Sequence, residues 1–416
     1  MRNGEASRPQ LEMKISRAFS PGTPINIIDL FSGRKEQLRR VIDAVNQRGQ
    51  HAIIFGERGV GKTSLSNILP LVLSDPKQNF LTTKINCDGS DDYSTLWKKV
   101  FSEISIVVRK RKAGFFADQD ESTLPLSGEL PRKLSPDLVF KTVRRICENG
   151  HLIIIIDEFD RIESSTAGRM ISDTIKMLSD YSVDSTLVLV GVADMVDDLI
   201  KEHLSIERAL VQIQMPRMTR KELSEILRKG FGYIGVQADD GAIEYVTSLS
   251  QGLPHYAHLL GLHAVRDAID HGSRTVSVAN VEAATEKAIR TSQQSIMKAY
   301  HIATTSPRKD NIFSEVLLAC ALSQGDDLGY FAASGIRTPL NKVMGKYYEI
   351  PAFARHLKEF CDQKRGPVLQ KTGFKHRYRY RFVNPLMQPF TIMQGLASKK
   401  ITKKILDDID REAKKR

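Results

Sequence analysis

His51-Ala52-Ile53-Ile54-Phe55 is a short apolar run rich in β-branched side chains, and it leads straight into Gly56-Glu57-Arg58-Gly59-Val60-Gly61-Lys62-Thr63. The run reads as a buried strand, and the residues from Lys62 onward read as the opening of a helix. Glycines let successive backbone N–H groups turn inward, and the helix start adds the positive end of its dipole. The loop between strand and helix is therefore an anion cradle. Its spacing, GxxxxGK[ST], is unbroken. It predicts that Lys62 reaches the β and γ phosphates of a nucleoside triphosphate while the Thr63 hydroxyl ligates Mg2+, with Gly56 through Thr63 and the adjoining Ser64 as nucleotide-binding residues.

A second run, Leu152-Ile153-Ile154-Ile155-Ile156, ends in Asp157-Glu158. In open parallel sheets ligands bind beyond the carboxyl ends of the strands, which puts Asp157 beside the phosphate loop. Asp157 is expected to act on Mg2+ through water, and Glu158 to polarise the attacking water as general base. ATP and Mg2+ are the cofactors this pairing calls for.

Further apolar runs stand at 81–87, 186–190 and 211–215, separated by helical patterns. The alternation predicts an α/β class with a parallel sheet covered by helices on both faces. The stretch 109–136, with Arg109-Lys110-Arg111-Lys112, several acids and prolines, reads as a mobile surface insertion. Beyond Met215 strand signals stop. Helical patterns follow at 219–230, 240–250, 253–271 and 278–303, the first opened by a Thr219/Glu222 capping box. After a polar break come helices at 312–322, 339–346 and 350–362, then strands at 367–371 and 376–383 around Thr372-Gly373. Three helices and a two-stranded wing are the plan of a winged helix. The expected organisation is an N-terminal arm over 1–25, a core over 26–216, a helical lid over 217–303, a winged helix over 311–392 and a basic tail over 393–416.

Charge narrows the partners. The net charge is +12, and residues 311–416 alone hold 20 Lys and Arg against 10 Asp and Glu. A polyanion would meet that end first. In the strand 376–382, alternation sends Arg377, Arg379 and Arg381 to one face and Tyr378, Tyr380 and Phe382 to the other. With Lys371 and Lys375 they form a cationic strip suited to phosphate contacts on nucleic acid, although an acidic protein or plain solvent would suit it too. Cys87, Cys147, Cys320 and Cys361 are scattered, with no metal-ligand spacing, and no apolar run is long enough to span a bilayer. A reduced, cytoplasmic setting without membrane attachment is expected.

With these residues in place the sequence resembles the AAA+ ATPases of the origin-recognition and initiator type, with features similar to STAND ATPases, over about residues 26–392. Leu30-Phe31-Ser32-Gly33-Arg34-Lys35-Glu36 looks like the family's first box, which implies an adenine pocket there. Residues 187–194 are similar to the sensor 1 strand, with Asp194 where Asn is usual; a carboxylate cannot donate when ionised, which implies slow or altered hydrolysis. Glu207-Arg208 looks like the arginine-finger segment, so Arg208 would act on the γ-phosphate held by a neighbouring subunit, the alternative being a surface ion pair. Gly252-Leu253-Pro254-His255 falls where sensor 2 Arg is usual and has the Gly-x-Pro form of the STAND lineage; Pro254 and His255 are candidates for nucleotide contact, against a merely packed His255. The resemblance implies ATP hydrolysis, a homo-oligomer or a partner protein, and DNA bound through the winged helix. Its STAND side implies instead a nucleotide-gated protein switch without direct DNA binding.

Overall fold

The computed structural model describes residues 8–73, 80–111, 119–192, 206–308, 310–374 and 377–413. It divides into two compact units. One joins the N-terminal segment to Gly33, the stretch Glu57–Gly61 and the chain from Pro216 on; the other comprises Arg34–Gly56 and Lys62–Met215.

The second unit is built on a parallel sheet. Strands β1 (His51–Gly56), β2 (Phe80–Asn86), β5 (His151–Asp157), β6 (Ser185–Gly191) and β7 (Leu210–Met215) lie in the order β2-β5-β6-β1-β7. The expected strand runs all fall in this sheet. Ile153, Ile154, Leu187, Val188 and Ile53 are fully buried, which is why these strands read as continuous apolar runs rather than alternating ones. Helices α2 (Lys35–Val45), α3 (Lys62–Leu73), α4 (Tyr93–Ser102), α5 (Pro136–Ile146) and α6 (Ser165–Asp180) accompany it. Trp97, Phe101, Val139, Ile171 and Ile175 bury their side chains with the sheet in one core.

In and just before the stretch 109–136, read from sequence as a mobile surface insertion, the backbone pairs β3 (Ser105–Arg111) antiparallel with β4 (Gln119–Pro125), Ser105 opposite Pro125. The tip, 112–118, lies outside the described residues. The charged composition hid the hairpin, because a two-stranded ribbon needs little apolar patterning to satisfy its backbone.

The first unit is helical, with two small sheets. Arg8–Ala18, expected to be part of an arm, forms helix α1, anchored by Ile15, Ala18 and Phe19. Its apolar residues Leu11, Ile15 and Phe19 are four apart but are the only cue. Helices α7 (Arg220–Ile234), α8 (Asp240–Ser250), α9 (Pro254–Asp270), α10 (Val278–Arg290) and α11 (Gln294–Thr304) follow, with short strands β8 (Gln237–Ala238) and β9 (Thr275–Val276) paired beside them. Thr219 caps α7 as expected: Glu222 N donates to Thr219 Oγ1 at 3.2 Å, and Thr219 N donates to Glu222 Oε2 at 2.8 Å. The single helix expected at 278–303 is two, broken after Arg290.

Then come α12 (Phe313–Ala321), β10 (Phe331–Ala332), α13 (Ala333–Met344), α14 (Ile350–Phe360), β11 (Leu369–Thr372) and β12 (Arg379–Phe382), the strands in antiparallel order β10-β12-β11. Helix α13 starts six residues before the expected Pro339, which sits inside it and buried. Two further helices, α15 (Met387–Ala397) and α16 (Lys403–Ala413), complete the unit. One apolar cluster runs from Ile15 to Ile409. No helix among the described residues is long and apolar enough to cross a membrane.

Candidate active site

The phosphate loop is shaped by its glycines. Gly59 and Gly61 have φ of +86° and +96°, values that a side chain would strain. A Cβ on Gly61 would stand 3.9 Å from Pro254 Cγ, so Pro254 lies against the loop. Val60 is fully buried and anchors the loop. Arg58 is exposed. Helix α3 begins at Lys62, whose Nζ donates to the Gly56 carbonyl at 3.1 Å.

Asp157, at the tip of β5, is 1% exposed. Its Oδ1 accepts from Glu158 N at 2.9 Å, and its Oδ2 lies 2.8 Å from Ser66 Oγ, which is also 2.9 Å from the Thr63 carbonyl. Ser66 thus ties the carboxylate to the first turn of α3. Lys84, on β2, places Nζ 3.2 Å from Asp157 Oδ2 and donates to Ser66 Oγ at 2.8 Å. Glu158 sits in the left-handed region at φ 55° and pairs with Arg161 at 2.9 Å, both half exposed. A carboxylate there is free to swing, because a solvated ion pair contributes little.

Mg2+ takes hard oxygen donors and commonly one or two carboxylates plus substrate phosphates. Thr63 and Asp157 fit that pattern. Among the described residues no group of three or more His, Cys, Asp or Glu could hold a metal alone. When bound with a triphosphate, the ion would neutralise charge developing on the phosphoryl oxygens.

Glu57 carries a second cluster. It is buried and faces Arg217, with Nε to Oε2 at 2.6 Å and Nη2 to Oε1 at 2.8 Å. Neither Arg217 nor Lys84 nor Ser66 was assigned a role from sequence. Lys84 is a charge inside a strand run, between the buried Thr83 and Ile85, which is a weak cue; Arg217 offers none.

His255 turns Nδ1 to the Pro21 carbonyl at 2.7 Å, and burial lowers its pKa, so the ring is packed and neutral and is committed to that carbonyl. Arg208 has an exposed side chain. Asp194 and Lys375 lie outside the described residues. In the basic strip, Tyr380 and Phe382 are buried while Arg377, Arg379 and Lys371 are exposed. Arg379 pairs with Asp326 at 2.9 Å and donates to the Tyr330 carbonyl, Arg381 stacks 4.6 Å over the Tyr330 ring, and Lys371 stacks 4.3 Å over Tyr378. The expected alternation holds over β12, but its cations already have partners.

An AAA domain family model matches residues 45–199. The ORC1-type DNA replication protein 2 of Thermoplasma acidophilum is 23% identical over 351 residues, 80% of this chain and 74% of that protein. A Walker-type ATPase of Pyrococcus abyssi superposes with a TM-score of 0.52 at 17% identity, over 89% of this chain and 98% of that one. The ORC2 protein of Aeropyrum pernix, solved as ADPNP–ADP complexes, gives 0.50 at 13% identity, over 96% and 98%. The chain therefore carries an AAA domain on the P-loop ATPase fold, within a sequence similar to an ORC1-type protein over four fifths of its length.

Proposed function

We propose that this protein binds Mg·ATP through Gly56 to Ser64, hydrolyses it with Glu158 as general base, and uses the nucleotide state to place its C-terminal part on DNA as a winged helix. The observation that carries the reading is the tie from Thr63, which follows the glycine-shaped loop in sequence, through Ser66 to the buried Asp157. Asp157 is hydrogen-bonded to the residue one helical turn after Thr63, which supports a shared metal-side role for the two. Helices α12, α13 and α14 with the three-stranded sheet supply the winged helix, and Lys371, Arg377, Arg379 and Arg381 the phosphate contacts. The similarity to a DNA replication protein supports DNA as the polyanion. Arg208, being exposed, is available to a nucleotide in a neighbouring copy.

A second reading has its own observation. Asp326 occupies Arg379, and Glu412 occupies Lys342 of α13 at 2.7 Å, so two cations are already answered within the chain, as in a switch that works through protein contacts. Fluorescence anisotropy of labelled duplex DNA decides between them, with the wild type, Lys62→Ala and Glu158→Gln each titrated with ATP, with ADP and without nucleotide. The DNA reading expects ATP to change wild-type affinity, Glu158→Gln to hold the ATP response without turnover, and Lys62→Ala to lose it. Affinity should fall steeply as salt rises, because phosphate contacts release counterions. No DNA binding even at low salt would leave the protein switch.

A further inference from the structure

We propose that Arg217 is a positioning residue for nucleotide binding, and that its guanidinium cancels a carboxylate, Glu57, which this chain carries inside its own phosphate loop. The inference rests on the reading of that loop as a triphosphate site. Glu57 directly follows Gly56, and its side chain is 3% exposed. An anion held there opposes the polyanion that the loop amides are arranged to receive, and the repulsion grows as water is excluded.

Arg217 meets it fork to fork, at 2.6 and 2.8 Å, in the two-bond geometry that fixes both groups. The remaining nitrogen, Nη1, donates to Gln388 Oε1 at 2.6 Å and to the Gln251 carbonyl at 3.2 Å. Gln388 in turn donates Nε2 to the Ala321 carbonyl at 2.8 Å, so its amide is oriented to accept from Arg217. Each nitrogen of the guanidinium thus has an acceptor.

The pair is also walled in. A Cβ on Gly329 would stand 2.7 Å from Glu57 Oε1 and 3.1 Å from Arg217 Nη2, so only a glycine lets the backbone of that turn close over the ion pair. The same turn supplies Asp326, which holds Arg379 of β12. With its charge cancelled and its geometry fixed, Glu57 shapes the loop without repelling phosphate. Without Arg217, the buried carboxylate is uncompensated where negative charge is least welcome.

The test measures affinity for a non-hydrolysable ATP analogue, ADP and AMP on the full chain with Mg2+, alongside thermal melting. Arg217→Met should weaken the ATP analogue by about tenfold or more, ADP by less and AMP least, since the penalty scales with phosphate charge. Glu57→Gln, which removes the repelling charge and leaves Arg217 cationic, should bind the ATP analogue more tightly than wild type, and the double variant Glu57→Gln/Arg217→Met should recover to within about threefold of wild type. Arg217→Lys, which keeps the charge and loses the fork, should fall between wild type and Arg217→Met, and it remains informative if Arg217→Met does not fold. Equal losses for all three ligands, or no recovery in the double variant, would make the pair a structural tie only and overturn the proposal. A wild type that binds none of the three would instead remove the nucleotide reading, and this inference with it.

Discussion

Asp157 is a buried carboxylate with a cation already beside it. Lys84 Nζ, at 3.2 Å, is the one ammonium within ion-pair distance of Asp157 among the described residues, and its side chain is 20% exposed. It lowers the local negative potential that a divalent ion would otherwise see at Oδ2. We expect Lys84→Met to reduce the Mg2+ concentration for half-maximal nucleotide binding by about threefold or more, while costing roughly 1–3 kcal/mol of stability as the carboxylate loses an ionic partner but keeps Ser66 and Glu158 N. Magnesium titration of nucleotide fluorescence and urea unfolding measure the two effects; an unchanged or raised magnesium requirement would show that Lys84 only packs. Lys62, Thr63 and Asp157 can be singled out in the sequence because strand ends and adjacent spacing mark them. Ser66 and Asp157 are 91 positions apart, and Arg217 and Glu57 are 160 apart, so only strand order and chain return bring those partners together.

Helix α9 (Pro254–Asp270) shows what an element can encode without belonging to the chemistry. It buries His258 and His263, whose pKa values are each lowered by burial from 6.5 to about 4; the neighbouring ring of His255 adds to the first effect, and Lys287 and Arg266 add to the second. Nδ1 of His258 and both ring nitrogens of His263 have no hydrogen-bond partner among the described residues. The folded helix therefore holds both rings neutral where the unfolded chain would protonate them. Between pH 6.5 and 4 the unfolded state binds more protons, so stability falls as pH falls. From pH 7 to 5 these two groups should remove roughly 2–4 kcal/mol. Urea unfolding at several pH values measures this, and His258→Gln should remove about half of the share these two rings contribute, His51, whose pKa burial also lowers to about 4, adding its own. A wild-type curve that is flat over this interval would mean the rings are hydrated.

Element existence was read well wherever a long pattern repeated, as in the sheet strands and α7 to α9. It failed where cues were sparse. Helix α1 rests on three apolar residues, the β3–β4 ribbon on charged ones, and α13 passes through Pro339, whose ring normally marks a helix start. In that last case the buried packing of Ile336 and Leu340 on either side outweighs the lost backbone bond.

At the scale of the whole molecule, the polar stretch after Thr304 suggested a boundary between a lid and a separate C-terminal domain, yet the apolar cluster is continuous across it. Helix α16 (Lys403–Ala413) belongs to this continuity. Leu406 is fully buried and Ile409 nearly so, Asp410 accepts from Ser248 of α8 at 2.6 Å and pairs with Arg220 of α7, and Glu412 pairs with Lys342 of α13. The basic tail, which its sequence marks as an amphipathic helix candidate, is a packed strap: Leu406 and Ile409 are buried and Asp410 is turned to Ser248 beside them. Truncating a buried leucine removes its transfer energy and leaves a cavity, costing roughly 2–5 kcal/mol. In a shared core that cost should reach every element whose opening exposes the same cluster. Leu406→Ala should therefore speed amide exchange together in α9 (Pro254–Asp270) and α14 (Ile350–Phe360), by roughly tenfold or more if both exchange through one cooperative opening. Hydrogen exchange read by mass spectrometry gives the answer directly. If only peptides covering α16 respond, the cluster is continuous in contact but not in stability, and the helices on either side of the polar stretch open as separate cooperative blocks.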